Sequence, residues 1–275
     1  MRGRSVTGTR LPPLLLLGAG RMGGALFNGW AARGLAPSAL VDPNPAPGIA
    51  RAQDVVRPSL DLLPDGFTAE AAILAVKPQM ADTVMPALGR VLTPNAVVLS
   101  IMAGRTIGGI RAALGGAAAV VRAMPNTPAA IGQGITVACA GPGVTQAQRD
   151  LCTILLQAVG EVAWVEDEAL IDPVTAVSGS GPAYVFLLAE LLERAGIHAG
   201  LPAELARLLA RKTVSGAGAL LGASDEDAAD LRRNVTSPRG TTEAALAVLM
   251  ADEAWPATLD AAVQAAKLRA AELAQ

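Results

Sequence analysis

The sequence predicts an α/β protein: a doubly wound sheet over residues 11–165, followed by an all-α domain over residues 166–275. Three observations predict it. Short apolar runs alternate with helical patterns from residue 14 to about 165, as consecutive βαβ units require. The first of these runs passes directly into Gly18-Ala-Gly-Arg-Met-Gly23, a G-x-G-x-x-G turn. Beyond residue 166 the strand-like runs stop, and apolar residues recur only at helical spacing.

Each element follows from its residues. Leu14 to Leu17 are four leucines in a row, the pattern of a short strand buried on both faces. In the glycine turn, Gly18 permits the tight bend, Gly20 lets backbone approach a pyrophosphate, and Gly23 allows close helix–strand packing. This is the opening of a Rossmann-type dinucleotide-binding domain. Its phosphates belong at the free N–H groups of the helix start, here around Arg21 and Met22. That helix runs to about Arg33, and Gly34 ends it. Residues 39–42 form a second strand, broken by Pro43-Asn-Pro45. Asp42 lies near the position, about 20 residues past the glycines, where an acid meets the adenosine ribose. There it would favour NADH and repel the 2′-phosphate of NADPH. The alternative is a turn aspartate capping its own loop.

Residues 71–76 form the next strand, stopped by Lys77-Pro78. Lys77 leaves the strand on the crevice side, either as a phosphate or ribose contact or as a solvated loop lysine. A helix over 80–92, a strand over 97–101, a helix over 107–114 and a strand over 118–122 follow. Met124-Pro-Asn-Thr-Pro128 then makes a rigid polar loop. Its Asn126 and Thr127 suit a nicotinamide carboxamide or a substrate; otherwise the loop is a stiffened connection. Strands over 134–140 and 161–165, with a helix over 145–158 between them, complete the sheet.

In the second half, Tyr184, Leu187, Leu188, Leu191, Leu192 and Ala195 recur at helical spacing, with Val185, Phe186 and Ala189 on the sides. A helix apolar almost all round is expected to be buried. Leu205, Leu208 and Leu209 open another helix, and Leu259, Ala262, Val263, Ala266 and Leu273 belong to the last. So much apolar surface predicts intersubunit packing as well as a core.

Bulk composition narrows the function classes. The chain is 52% hydrophobic and 3% aromatic, with mean hydropathy +0.41. It has no uninterrupted apolar run of about 18 residues, so no membrane partner is expected. A formal net charge of −2 without a basic stripe argues against nucleic acid. Cys139 and Cys152 lack metal-ligand or C-x-x-C spacing, so no metal is expected, and reduced thiols in a cytoplasmic protein are the default. Residues 1–10 read as a frayed basic tail, too short for a signal peptide.

Two loops of the helical half place small hydroxyls and glycines at helix starts: Ser178-Gly-Ser-Gly-Pro-Ala183 and Thr236-Ser-Pro-Arg-Gly-Thr-Thr-Glu243. In the second, Ser237 suits the N-cap and Pro238 the first helical position. The third residue after Ser237 is Gly240, not the acid of a capping box, so N–H groups are left free. A substrate carboxylate suits them, beside the Thr241 and Thr242 hydroxyls; an ordinary capped helix start is the plainer alternative. A catalytic base is missing. His198 sits in a turn, and the lysines are Lys77, Lys212 and Lys267, so the helix over 178–195 carries none. Oxidation of an alcohol needs such a base, whereas reduction of a C=N bond mainly needs orientation.

The set Gly18-Ala-Gly-Arg-Met-Gly23, Ala75-Val-Lys-Pro78, Arg122-Ala-Met-Pro-Asn-Thr-Pro128, Ala176-Val-Ser-Gly-Ser-Gly-Pro-Ala-Tyr184 and Val235-Thr-Ser-Pro-Arg-Gly-Thr-Thr-Glu243 resembles pyrroline-5-carboxylate reductase, in order and over nearly the whole chain. The resemblance implies reduction of Δ1-pyrroline-5-carboxylate to L-proline with NADPH or NADH, the last step of proline synthesis. It also implies a helical domain that interlocks with a partner's in a homodimer, often assembled into a decamer. By position, Gly18, Gly20, Met22 and Gly23 match the pyrophosphate loop, and Val76, Lys77 and Pro78 match the strand-end cofactor segment. Asn126 and Thr127 match residues near the nicotinamide. Ser237, Gly240, Thr241 and Thr242 match the carboxylate-binding helix start, with Thr242 at the imine nitrogen. Two positions depart from the family pattern. Asp42 replaces residues suited to the 2′-phosphate, which leans the chain toward NADH. Arg239 stands where the family usually has glycine; a harmless helical replacement is expected there, and a required positive φ would instead weaken substrate binding.

Two other classes compete. A β-hydroxyacid dehydrogenase has a similar architecture but relies on a lysine that the helix over 178–195 lacks. A cofactor-binding protein without chemistry is supported only by Arg239.

Overall fold

The computed structural model describes residues 11–273, so the tail assigned to residues 1–10 lies outside the described residues. The chain forms two compact units. One takes the chain up to Gly179 together with the stretch from Lys267 onward, and the other is Ser180–Ala266.

The first unit is built on an eight-stranded sheet in the order β3-β2-β1-β4-β5-β6-β7-β8. Its strands are β1 (Leu14–Leu17), β2 (Ala39–Val41), β3 (Val55–Arg57), β4 (Ala71–Leu74), β5 (Val97–Ser100), β6 (Ala119–Met124), β7 (Gly134–Ala140) and β8 (Gly160–Val165). All neighbours are parallel except β6 and β7. Side chains of the four-leucine strand alternate between two cores. Leu14 and Leu16 join Phe27, Trp30, Ile73 and Leu155 on one face. Leu15 and Leu17 join Leu74, Met85, Leu88 and Ile110 on the other.

Helices cover both faces: α1 (Arg21–Ala32), α2 (Ala81–Val91), α3 (Ile107–Ala113) and α4 (Gln146–Leu156). The α4 start is a capping box in which Thr145 and Gln148 exchange side-chain and backbone bonds. The short α5 (Ile171–Val174) and a π-turn over Thr175–Gly179 end the unit's continuous stretch.

Strand order reverses at β1, which lies between β2 and β4. Leu17 is in register with Val41 on one side and Leu74 on the other. Two backbone bonds extend this alignment past the strand ends, Gly18 N–H to Val41 C=O at 2.9 Å and Ala75 N–H to Leu17 C=O at 2.8 Å. The glycine turn, Asp42 and the segment after β4 therefore emerge side by side at a topological switch point, where open α/β sheets bind ligands.

The entry to β2 is fixed by an ion pair that local sequence patterns do not reveal. Arg51 donates to both oxygens of the fully buried Asp54 side chain, at 2.8 and 2.7 Å, and to the Leu35 and Ala36 carbonyls. Burial pushes the Asp54 carboxyl up, but hydrogen bonds from Arg51 and the Ser38 N–H outweigh it and hold the group below its ordinary value. Its contribution to stability is therefore present above about pH 4 and is lost as pH falls through the folded-state value. Asp54→Ala is expected to destabilise the protein by about 3 kcal/mol, because it leaves a cation without its partner. Urea denaturation checks this, and an unchanged midpoint would show that Arg51 is equally well solvated alone.

The second unit holds α6 (Gly181–His198), α7 (Ala203–Ala223), α8 (Ala228–Asn234), α9 (Thr241–Leu249) and most of α10 (Trp255–Leu273). Ala206 and Ala210 of α7 are buried, and a Cβ on Gly196 of α6 would meet the Ala206 methyl at 3.2 Å. The burial expected for α6 is not met within one chain: none of its residues is buried, and Phe186 is 66% exposed. The continuous helical stretch Glu168–His198 is long and apolar enough, by length and composition, to cross a membrane. A core helix of a soluble protein passes the same test, so this property by itself places no part of the chain in a membrane.

Candidate active site

The glycine turn has three distinct roles in the structure. Gly18 has φ +93°, and a Cβ there would lie 2.6 Å from the Ala75 carbonyl oxygen, so only glycine fits. A Cβ on Gly23 would collide with the Gly18 carbonyl oxygen, so this residue lets α1 pack against the turn. Gly20 differs: it is exposed, and a Cβ there would meet nothing within 4 Å. The protein does not use that space. Gly20 is also the N-cap of α1 and provides no side-chain cap. The first-turn N–H groups of Arg21, Met22 and Gly23 have no intrahelical acceptor and face the end where an anion is favoured. Met22 packs partly against the core, while Arg21 is exposed. A cleft of 540 Å³ runs beside this turn, lined in part by Gly20, Arg21, Asn28, Asn44 and Ile49.

Asp42 reaches back into the same turn. Its Oδ2 accepts the Ala19 N–H at 2.6 Å and its Oδ1 accepts the Asn44 N–H at 2.8 Å. It therefore does cap its own loop, as one reading of the sequence holds, and it also ties the glycine turn to the end of β2. Each carboxylate oxygen keeps a lone pair, so these bonds do not exclude ribose hydroxyls.

Beyond β4, Val76 and Pro78 are half-buried and Lys77 is exposed. Lys77 has extended backbone and precedes the 3₁₀ turn Pro78–Met80 that leads into α2. Arg105, which the sequence reading passes over, holds this segment. It donates to the Pro78 carbonyl at 3.0 Å and to both Asp82 oxygens at 2.9 and 2.8 Å. At the end of β6 the Asn126 amide is oriented at both ends. Its oxygen accepts the Ile135 N–H at 3.0 Å, and its nitrogen donates to the Ser178 hydroxyl at 3.3 Å. Thr127 is exposed and opens a 3₁₀ turn.

In the helical unit the structure corrects the sequence reading of residues 236–243. Ser237 and Pro238 do not start the helix. Ser237 to Gly240 form a turn closed by the Gly240 N–H to the Ser237 carbonyl at 3.0 Å, and α9 starts at Thr241 with Gly240 as its N-cap. Serine at an N-cap followed by proline is a local preference, and here the turn overrides it. Arg239 is not helical either. Its φ is 59°, the sole positive value at a non-glycine among the described residues. The harmless-replacement expectation therefore gives way to the strained case. Counted from Gly240, the third residue is Glu243, whose Oε2 accepts the Arg239 N–H at 2.6 Å. The sequence carries the signal for this reach-back, an acid three residues past the cap, once the cap is Gly240 rather than Ser237. Thr242 is half-buried, Thr241 exposed, and their hydroxyls have no partner among the described residues.

Residues 168–273 match the family model described as pyrroline-5-carboxylate reductase dimerisation. Residues 14–104 match the one described as NADP oxidoreductase, coenzyme F420-dependent. A pyrroline-5-carboxylate reductase of Pseudomonas aeruginosa is 41% identical over 271 residues, covering 96% of this chain and 97% of the relative. The chain belongs to the pyrroline-5-carboxylate reductase family. A reductase of Haemophilus influenzae is 35% identical over 94% of this chain and 97% of its own. Among solved structures, the family member from Coxiella burnetii superposes with a TM-score of 0.88 at 33% identity, covering 97% of this chain and all of that one. The Plasmodium falciparum pyrroline carboxylate reductase, solved with NADP bound, gives 0.82 at 28% identity, covering 98% and 100%.

A dinucleotide fits what this reductase-family chain presents. The open position over Gly20 and the unpaired N–H groups of α1 suit a pyrophosphate, and the side-by-side ends of β1, β2 and β4 supply the switch-point crevice. Cys139 and Cys152 do not join the site. Both are buried, which raises their thiol pKa values, for Cys152 to about 12, so neither offers a thiolate at neutral pH.

Proposed function

We propose that this chain reduces the C=N bond of Δ1-pyrroline-5-carboxylate to give L-proline, using NADPH or NADH. The observation that carries the reading is family membership at 41% identity over nearly the full chain, together with the motif Val235-Thr-Ser-Pro-Arg-Gly-Thr-Thr-Glu243 at the start of α9.

A nicotinamide held here would supply hydride for the imine carbon, and the chain's own residues bind and orient the reactants. Gly18, Gly20, Arg21, Met22 and Gly23 hold the pyrophosphate by close backbone approach and the α1 N–H groups. Asp42 takes the adenosine ribose and leans the choice toward NADH. Val76, Lys77 and Pro78 line the cofactor on the β4 side, while Asn126 and Thr127 serve the nicotinamide end. The substrate carboxylate is received by the N–H groups at the start of α9 with the hydroxyls of Ser237 and Thr241, where a helix N-terminus favours an anion. Gly240 allows backbone approach there. Thr242 acts at the imine nitrogen: the proton comes from solvent or through its hydroxyl, and the hydroxyl oxygen then accepts a hydrogen bond from the protonated N–H. No strong base is required, because a protonated C=N is already electrophilic and the remaining work is orientation.

The helical unit carries the family's dimerisation region, and the apolar surface of α6 and α7 is covered in this reading by a second copy of the chain rather than by lipid. A cytoplasmic homodimer, with decamers built from it, completes the proposal. Purified protein is expected to oxidise NADH or NADPH only when pyrroline-5-carboxylate is present, with proline formed in equal amount by chromatography. Absence of proline from folded, cofactor-binding protein would leave a binding protein without chemistry.

A further inference from the structure

We propose that Glu243 is a positioning residue: its carboxylate holds the bend at Arg239 and, through it, the α9 start that receives the substrate carboxylate. The inference rests on the reading of that helix start given above. A side chain at positive φ crowds the neighbouring carbonyl oxygen, which glycine avoids, so the bend at Arg239 with φ 59° is one its own residue type disfavours. Such a conformation persists only where surrounding bonds over-determine it.

Two bonds do so. The Gly240 N–H closes the turn onto the Ser237 carbonyl at 3.0 Å. The Glu243 carboxylate accepts the Arg239 N–H at 2.6 Å, acting on the strained residue itself through a charge-assisted bond. Once the Arg239 and Gly240 N–H groups are engaged in this way, the first-turn donors of α9 remain, and no side chain caps them. The helix itself directs the inner ones, whereas the Thr241 N–H and the Ser237 hydroxyl are placed beside them by the path of residues 238–240. If Arg239 relaxes to negative φ, Gly240 turns with it, and the Thr241 N–H and Ser237 hydroxyl move away from the inner first-turn donors. Glu243 never needs to touch the substrate to have this effect.

An acid in the first turn of a helix is also favourable simply through the helix dipole. The two roles separate in a substitution cycle on the full-length enzyme, with KM for pyrroline-5-carboxylate, kcat and Tm measured for E243A, E243Q, R239G and the E243A/R239G pair. E243A is expected to raise KM about tenfold with kcat changed less than about twofold, the size of one lost charge-assisted bond. E243Q keeps an acceptor oxygen and is expected to stay within about threefold of the wild type. In the R239G background the E243A change is expected to raise KM less than about twofold, because glycine takes the bend unaided. An equal KM rise in both backgrounds, or none in E243A, would overturn the proposal. Melting gives a readout independent of turnover: E243A lowers Tm more in the wild-type background than beside R239G. A wild type that makes no proline refutes the functional reading, and the Tm cycle still decides the role of Glu243.

Discussion

Gly20→Ala is expected to weaken NADH and NADPH binding by about 100-fold or more, the loss of two charge-assisted contacts, while moving Tm by no more than about 2 °C. The asymmetry comes from the position of Gly20. A methyl group there meets no protein atom within 4 Å, so the fold has no reason to object. Alanine is poorer than glycine at an N-cap by about 0.5 kcal/mol, which in a chain of this length moves Tm by only about 1–2 °C. In the proposed binding mode the same methyl stands on the approach to the α1 N–H groups that would receive the pyrophosphate. Gly18→Ala provides the contrast. Its φ of +93° and the Ala75 carbonyl oxygen 2.6 Å from the new Cβ make it a folding mutation first, with a clear drop in Tm. Fluorescence titration with NADH, beside thermal melting, checks both. Wild-type affinity in Gly20→Ala would remove the dinucleotide from this turn.

The second large effect is on cofactor choice. Asp42→Ala is expected to shift the ratio of kcat/KM for NADH over NADPH toward NADPH by about tenfold or more, since it removes both an acceptor for ribose hydroxyls and a charge that repels a 2′-phosphate. Some loss with both cofactors is expected too, because the carboxylate also holds the Ala19 and Asn44 N–H groups. Only the ratio separates the two roles. An unchanged ratio with equal loss for both cofactors would leave Asp42 as a loop cap alone.

What could be read from the sequence follows physical range. β1, the glycine turn and α1 were legible because a buried apolar run and glycine spacing are local properties. β3 was not: Val55-Val-Arg57 is three half-buried residues without periodicity, and it becomes a strand by pairing with β2, with the Val55 N–H on the Ser38 carbonyl at 2.9 Å. The antiparallel direction of β7 was equally hidden, since it depends on the reversal through Gly132 at φ 70°. In the candidate site, the residue types at 237–243 pointed to an anion-binding helix start, but the start itself moved from Ser237 to Thr241. A four-residue turn took Ser237 out of the cap, and Arg239 adopted the positive φ that sequence patterns reserve for glycine. The exposure of α6 within one chain was illegible for another reason. Its all-round apolar surface predicts cover but not which molecule provides it.

In the proposed reaction a hydride passes to the imine carbon of a pyrroline carboxylate, and isotope labelling follows that hydrogen itself. With nicotinamide deuterated at the transferring C4 position, proline is expected to carry one deuterium at C5, equal in amount to the cofactor oxidised and absent without enzyme. Cofactor oxidation with unlabelled proline, or with no proline, would contradict it.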